Sequence, residues 1–197
     1  MAVLPLIAAS LAWSLPAAAQ FSDSYKFLES VKKKEGDKVT DALDKGNPNL
    51  INTRDVTTGE TALHIVTQRR DLTWMQFLIG KGANVNARDS QGQTPLVIAS
   101  NFSFVEGVDL LVSHGAKVDE SNNAGETPLI TAVHNRNIAL VRILLRAGAS
   151  PTRADNSGRS ALDYAAMEGK GGAIWTELDT ASKTKTATAK PAYGPSF

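Results

Sequence analysis

The residues able to do chemistry are few and poorly spaced for it. Histidine occurs only at His64, His114 and His134. No two are three or four apart, so no helix can offer an imidazole pair to a metal ion. Cys is absent, which removes disulfides, thiolate zinc sites and Cys nucleophiles together. Glu106 and Asp109 can share one helix face, but a solvated face is the simpler account of them. Glu168-Gly169-Lys170-Gly171-Gly172 lacks the spacing and the strand-loop-helix setting of a phosphate cradle. No Gly-x-Ser-x-Gly nucleophile elbow occurs. Lys32-Lys33-Lys34 reads as the solvated face of a first helix rather than an RNA site. Asn101-Phe102-Ser103 has the form of a glycosylation sequon. No acid, base and nucleophile converge, and nothing implies a metal or cofactor. The reading is non-enzymatic.

The elements that would position any site come from the rest of the chain. Its 197 residues favour one domain, and 42% are hydrophobic, which excludes disorder throughout. Lys+Arg is 21 against 20 for Asp+Glu, a net charge of +1. No global field draws in nucleic acid or acidic lipid.

Ala2 to Leu15 carry no charge and are mostly apolar, followed by Pro16 and Ala17-Ala18-Ala19-Gln20. That order is the signature of a secretory signal peptide over 1–19, cleaved after Ala19. Its n-region has no Lys or Arg. Two alternatives stay open: a retained anchor, since Ala2 to Phe21 can just span a bilayer, and a buried helix, which Pro5 and Pro16 bracket poorly. No later apolar run is long enough to span.

Residues 20–181 are built on a repeat. Gly59-Glu60-Thr61-Ala62-Leu63 returns as Gly92-Gln93-Thr94-Pro95-Leu96, as Gly125-Glu126-Thr127-Pro128-Leu129 and as Gly158-Arg159-Ser160-Ala161-Leu162. Each gap is 33 residues. Gly82-Ala83, Gly115-Ala116 and Gly148-Ala149 keep the same period, as do Leu78, Leu111 and Leu144. The units are 24–55, 56–88, 89–121, 122–154 and 155–181, the first joined by a link three residues longer than the period. Thr94 suits an N-cap and Pro95 a first helical turn. Leu96, Ile98 and Ala99 then face a neighbouring helix, and Val108, Leu110 and Leu111 line a second one that ends at Gly115. No unit buries its apolar face alone, so the core comes from stacking.

The period and the Thr61-Ala62-Leu63-His64, Thr94-Pro95-Leu96-Val97 and Thr127-Pro128-Leu129-Ile130 segments resemble the ankyrin repeat. The resemblance implies an all-α repeat solenoid: helix-turn-helix units, each with a β-hairpin finger, about five including caps. It gives His64 a structural role, bonding loop backbone. It also implies a protein-binding surface of finger tips and first helices. Carried onto this sequence, the candidate contacts are Arg69, Ser90, Gln91, Gln93, Asn101, Phe102, Asn123, Glu126, His134, Asn135 and Arg159. Phe102 and Arg69 are the best anchors, since hot spots favour aromatics and Arg.

Four departures carry their own expectations. Trp74, Gly107 and Leu140 share one slot, so Trp74 leans into the space Gly107 leaves; otherwise Gly107 is simply tolerated. Phe102 and Phe104 are either core or an exposed patch. Pro151 removes a donor, so the finger before the fifth unit pairs less regularly. Residues 182–197, rich in Lys, Thr, Ala and Pro, read as a disordered tail. The expected protein is an exported monomer, periplasmic or secreted, that binds a protein partner, with no nucleic acid and no membrane after signal cleavage. The narrower alternatives are an accessory that protects or matures one exported enzyme, and a membrane-anchored scaffold.

Overall fold

The computed structural model describes residues 22–189. The signal-peptide segment 1–19 lies outside the described residues. Among the described residues ten α-helices form five antiparallel pairs: α1 (Asp23–Lys32) with α2 (Gly36–Asp41), α3 (Ala62–Gln68) with α4 (Leu72–Gly80), α5 (Pro95–Asn101) with α6 (Val105–Ser113), α7 (Pro128–His134) with α8 (Ile138–Arg146), and α9 (Ala161–Glu168) with α10 (Ala173–Ala189). The chain is an all-helical repeat solenoid.

Each first helix starts where a small hydroxyl can cap it. Thr94 Oγ1 accepts from Val97 N at 3.3 Å, Thr127 Oγ1 from Ile130 N at 3.2 Å, and Ser160 Oγ from Asp163 N at 3.3 Å. Pro95 and Pro128 follow, where no N–H is missed. The second helices α4 and α8 are capped by Asp71 and Asn137, which accept from Trp74 N at 3.3 Å and Leu140 N at 3.2 Å.

The turns between paired helices pass through Lys34, Arg70, Ser103 and Arg136, all at positive φ. These markers, 36, 33 and 33 apart, locate the longer first link. Part of the extra length forms a 3₁₀ turn, Pro48–Asn52, after a π-helical turn at Ala42–Gly46. The first finger tip is also one residue longer than the rest, and there Val56 is fully exposed.

Stacking supplies the core. Leu63, Leu96 and Leu129 are fully buried, as are Leu78, Leu111 and Leu144. α3 packs on α1 and α5, α5 on α7, and α7 on α9, forming one layer. The other layer runs α4, α6, α8, α10.

Four expectations need correction. The fingers are not β-hairpins: among the described residues the only bridge is antiparallel, Ala154 to Ser160. That bridge belongs to the Pro151 finger, which was expected to pair least regularly. At its base this finger is joined to the one before it by Ser150 N, donating to Asp119 Oδ1 at 2.8 Å, so the missing Pro151 N–H costs nothing there. Trp74 does not enter the space at Gly107. It packs edge-on against Phe77, centroids 5.9 Å apart, and Phe104 fills the Gly107 space instead. Finally, α10 continues to Ala189, past the point where a disordered tail was expected to begin. Leu178 anchors that helix in the core, and Lys183 pairs with Asp179 one turn back, at 2.6 Å.

Candidate partner-binding surface

The finger tips are organised by a side chain rather than by strand pairing. Asp55, Asp89, Asn122 and Asp155 each accept two tip N–H groups on one side-chain oxygen. In the second tip Gln91 N and Gln93 N donate to Asp89 Oδ1 at 2.9 and 2.7 Å. A backbone bond then closes each tip, as from Asp89 N to Gln93 O at 2.9 Å. The Tyr164 and Ser157 hydroxyls hold Asp155 far below the usual carboxylate range, and the Thr58 and Thr57 N–H groups lower Asp55. Sequence reasoning missed this set. Its signal was an Asp or Asn three residues before Gly92, Gly125 and Gly158.

Successive tips are stitched together. Ser90 N donates to Thr58 O at 2.9 Å, Asn123 N to Gln91 O at 3.2 Å, and Asn156 N to Ala124 O at 3.1 Å. Ser90 and Asn123, both named as partner contacts, therefore spend their N–H groups inside the stack, while the residues themselves remain exposed.

Behind the tips, a residue on each finger faces one eight positions on, at the end of the first helix. Gln68 Nε2 donates to Glu60 Oε1 at 2.5 Å, and Asn101 Nδ2 to Gln93 Oε1 at 3.1 Å. Gln93 Nε2 reaches Gln91 Oε1 at 2.6 Å, so Gln91, Gln93 and Asn101 form one network. Glu126 Oε1 lies 3.8 Å from His134 Nδ1. The His134 ring meets Tyr164 edge-on at 4.5 Å, and Tyr164 donates to Asp155 Oδ2 at 2.7 Å. In the fifth unit the same pair of slots holds Arg159 and Met167, both exposed.

The slot after each first helix divides the two expected anchors. Arg69 Nη1 donates to Val31 O at 2.8 Å, at the C-terminal end of α1. Its guanidinium also lies 5.5 Å over the Trp74 ring, and its Nε 3.3 Å from Asp71 Oδ2. Asn135 Nδ2 donates to Ser100 O at 3.1 Å and Asn101 O at 3.3 Å, at the end of α5. Arg69 and Asn135 are thus clamps between units, and Arg69 is not a free anchor. Phe102 fills the same slot and has no donor with which to clamp. It stays 48% exposed.

His64 is fully buried and takes the structural role expected of it. Its Nδ1 accepts from Thr61 N at 3.1 Å, so the proton sits on Nε2, which donates to Gln93 O at 3.1 Å. Burial lowers its pKa below the ordinary 6.5. Below pH 6.5 the unfolded chain therefore binds the proton that the folded chain refuses. The stability His64 contributes is complete above pH 6.5 and falls as the pH drops below it. Val97 and Ile130 fill the equivalent slot in later units, both fully buried. Urea melts of His64→Val are expected to show a loss of about 1–3 kcal/mol at pH 7. They should also show a shallower decline between pH 6.5 and 5 than the parent.

The other chemistry-bearing residues stay apart. His114 Nδ1 lies 2.8 Å from Leu110 O at the end of α6. Glu106 and Asp109 are exposed. Lys32 pairs with Glu29 and Asp55, and Lys34 with Asp71. Among the described residues no three His, Cys, Asp or Glu side chains gather to hold a metal ion. No helix there is long and apolar enough to cross a membrane.

Comparison with known proteins agrees with this architecture. A family model described as ankyrin repeats (3 copies) matches residues 17–122 and 108–176. Diacylglycerol kinase iota of Mus musculus is 39% identical over 66 residues, which is 34% of this chain and 6% of that protein. The Rattus norvegicus and Homo sapiens proteins of the same name are 38% identical over 66 residues, with the same coverage. The chain thus spans only 6% of the length of these relatives, a segment the size of two repeats. With its period, its stacked helix pairs and the family match over most of its length, the chain belongs to the ankyrin-repeat family.

Proposed function

We propose that this protein is an exported, non-enzymatic binding module that holds a partner protein on its finger tips and first helices. Ankyrin repeats are a protein–protein interaction module, which supports the general reading. The observation that carries the specific one is Phe102. It stands exposed in a slot that Arg69 and Asn135 use to clamp neighbouring units, while its own side chain clamps nothing. Around it lie the polar pairs Gln93 with Asn101 and Glu126 with His134, which suit the rim of an interface.

Phe102→Ala is expected to weaken the complex by about 2 kcal/mol or more, as for a central aromatic anchor. Titration calorimetry with the partner checks this, and a thermal melt should stay close to the parent's. Unchanged affinity would remove Phe102 from the interface.

Export rests on the apolar run from Ala2 to Leu15 and the small residues before Gln20. Sequencing the mature protein is expected to give Gln20 first. A retained Met1 with membrane fractionation would instead support the anchored scaffold.

A further inference from the structure

The turns that follow the first helices stack into a row. Arg69 Nη1 donates to Val31 O at 2.8 Å, Arg70 Nη1 to Phe102 O at 3.4 Å and Asn135 Nδ2 to Ser100 O at 3.1 Å, so successive turns touch. The row is basic: Lys33, Lys34, Arg69, Arg70, Arg136 and Lys170 outnumber Glu35, Asp71 and Glu168. The finger tips carry the opposite sign, chiefly through Asp55, Glu60, Asp89 and Glu126.

Lys34, Arg70 and Arg136 occupy one slot, the positive-φ position of each turn. Two of them pair with an acid one unit on. Lys34 Nζ lies 3.2 Å from Asp71 Oδ2, and Arg136 Nε lies 3.3 Å from Glu168 Oε1. Asp71 is the cap residue of α4, and the equivalent cap residue of α6 is Phe104. With an aromatic ring in place of that acid, Arg70 faces no carboxylate. Among the described residues it forms no ion pair, it is exposed, and its bond to Phe102 O sets it beside the exposed Phe102. The same turn thus presents a bare aromatic ring and an unneutralised guanidinium side by side.

Resting on the protein-binding reading above, we infer that the partner docks through an acidic segment, whose carboxylate takes Arg70 while an adjacent apolar side chain covers Phe102. A guanidinium offers a carboxylate two parallel N–H groups, and such bonds strengthen where apolar surface excludes water. The chain's own ends do not match, since neither 1–21 nor 190–197 contains Asp or Glu. A nucleic acid is disfavoured, because Asp71 and Glu168 within the row repel a run of phosphates.

The probes are short peptides that differ only in charge, with Glu, Gln or Lys on both sides of a central Leu. Amide spectra of the full chain are recorded as each is added at low salt. The Glu peptide is expected to shift Arg70, Phe102 and Ser103, with a dissociation constant of about 1 mM that weakens as salt is added. The Gln and Lys peptides are expected not to shift them. Arg70→Gln is expected to weaken binding of the Glu peptide about fivefold or more, with an unchanged melt. Arg146→Gln, at the exposed far end of α8, is expected to bind it as the parent does. Equal shifts from all the peptides, or an affinity unmoved by Arg70→Gln, would overturn the acidic contact and leave the protein-binding reading standing. Tighter binding of a single-stranded oligonucleotide at the same amides would overturn it in favour of a phosphate backbone. No shift with any peptide would also overturn it, and the protein-binding reading would then stand or fall on Phe102→Ala.

Discussion

Gly125→Ala is expected to cost about 2–5 kcal/mol, whereas Gly158→Ala costs about 1–2. The two glycines are matched in conformation, with φ of 80° and 79°. Both therefore carry the same backbone strain when a Cβ is added, about 1–2 kcal/mol in the left-handed region. They differ in what lies above them. The new Cβ at Gly125 comes 2.6 Å from Asn156 N and 3.0 Å from Asp155 Cα, which are backbone atoms and cannot rotate away. At Gly158 it meets nothing within 4 Å among the described residues. Relief requires the third and fourth fingers to separate, which breaks the Asn156 N to Ala124 O bond. Urea melts of the two variants, run side by side, isolate the finger-to-finger contact from backbone strain. Equal losses would mean that the tips are not packed as described.

The second large effect concerns Phe104 and Gly107. Phe104 stands in the cap slot that holds Asp71 and Asn137 in the neighbouring units, and it makes no capping bond. Its ring lies against Gly107, in the slot that holds Trp74 and Leu140 elsewhere, and is only 8% exposed. The unit has exchanged a cap and a large side chain for one aromatic ring. Phe104→Asn is expected to cost about 3–5 kcal/mol, because truncating the ring leaves a cavity over Gly107. Gly107→Leu is expected to cost about 1–3 kcal/mol by overpacking against the ring. The double variant restores the Asn137 and Leu140 pairing. It should be more stable than Phe104→Asn alone, with a coupling energy above about 1 kcal/mol. Additive losses in a double-mutant cycle would show that the ring and the glycine do not share one space.

The repeat was legible because its markers are short-range and recur. Thr94 before Pro95, Gly115 after α6 and the buried leucines at 63, 96 and 129 each follow from one local rule, which the period then multiplied. The site was less legible. Arg69 reads as an exposed anchor in sequence, yet its bond to Val31 O reaches back 38 residues into the unit before. Phe102 and Phe104 look alike in the sequence, but one ends a helix and the other replaces a cap beside a glycine. The fingers read as hairpins because the family has them. Here Asp89, Asn122 and Asp155 hold each tip with side-chain oxygens, so little strand pairing is needed. The tail reads as disordered by composition alone. Its first turns continue a helix whose buried Leu178 lies one turn before the biased stretch.

Photo-crosslinking in the native host tests the binding surface, with the probe placed at Phe102 and, for comparison, at the exposed Asp109 of α6. One dominant partner is expected from Phe102 and none of it from Asp109. A partner captured equally from both positions, or from Asp109 alone, would contradict a binding surface on the finger tips and first helices.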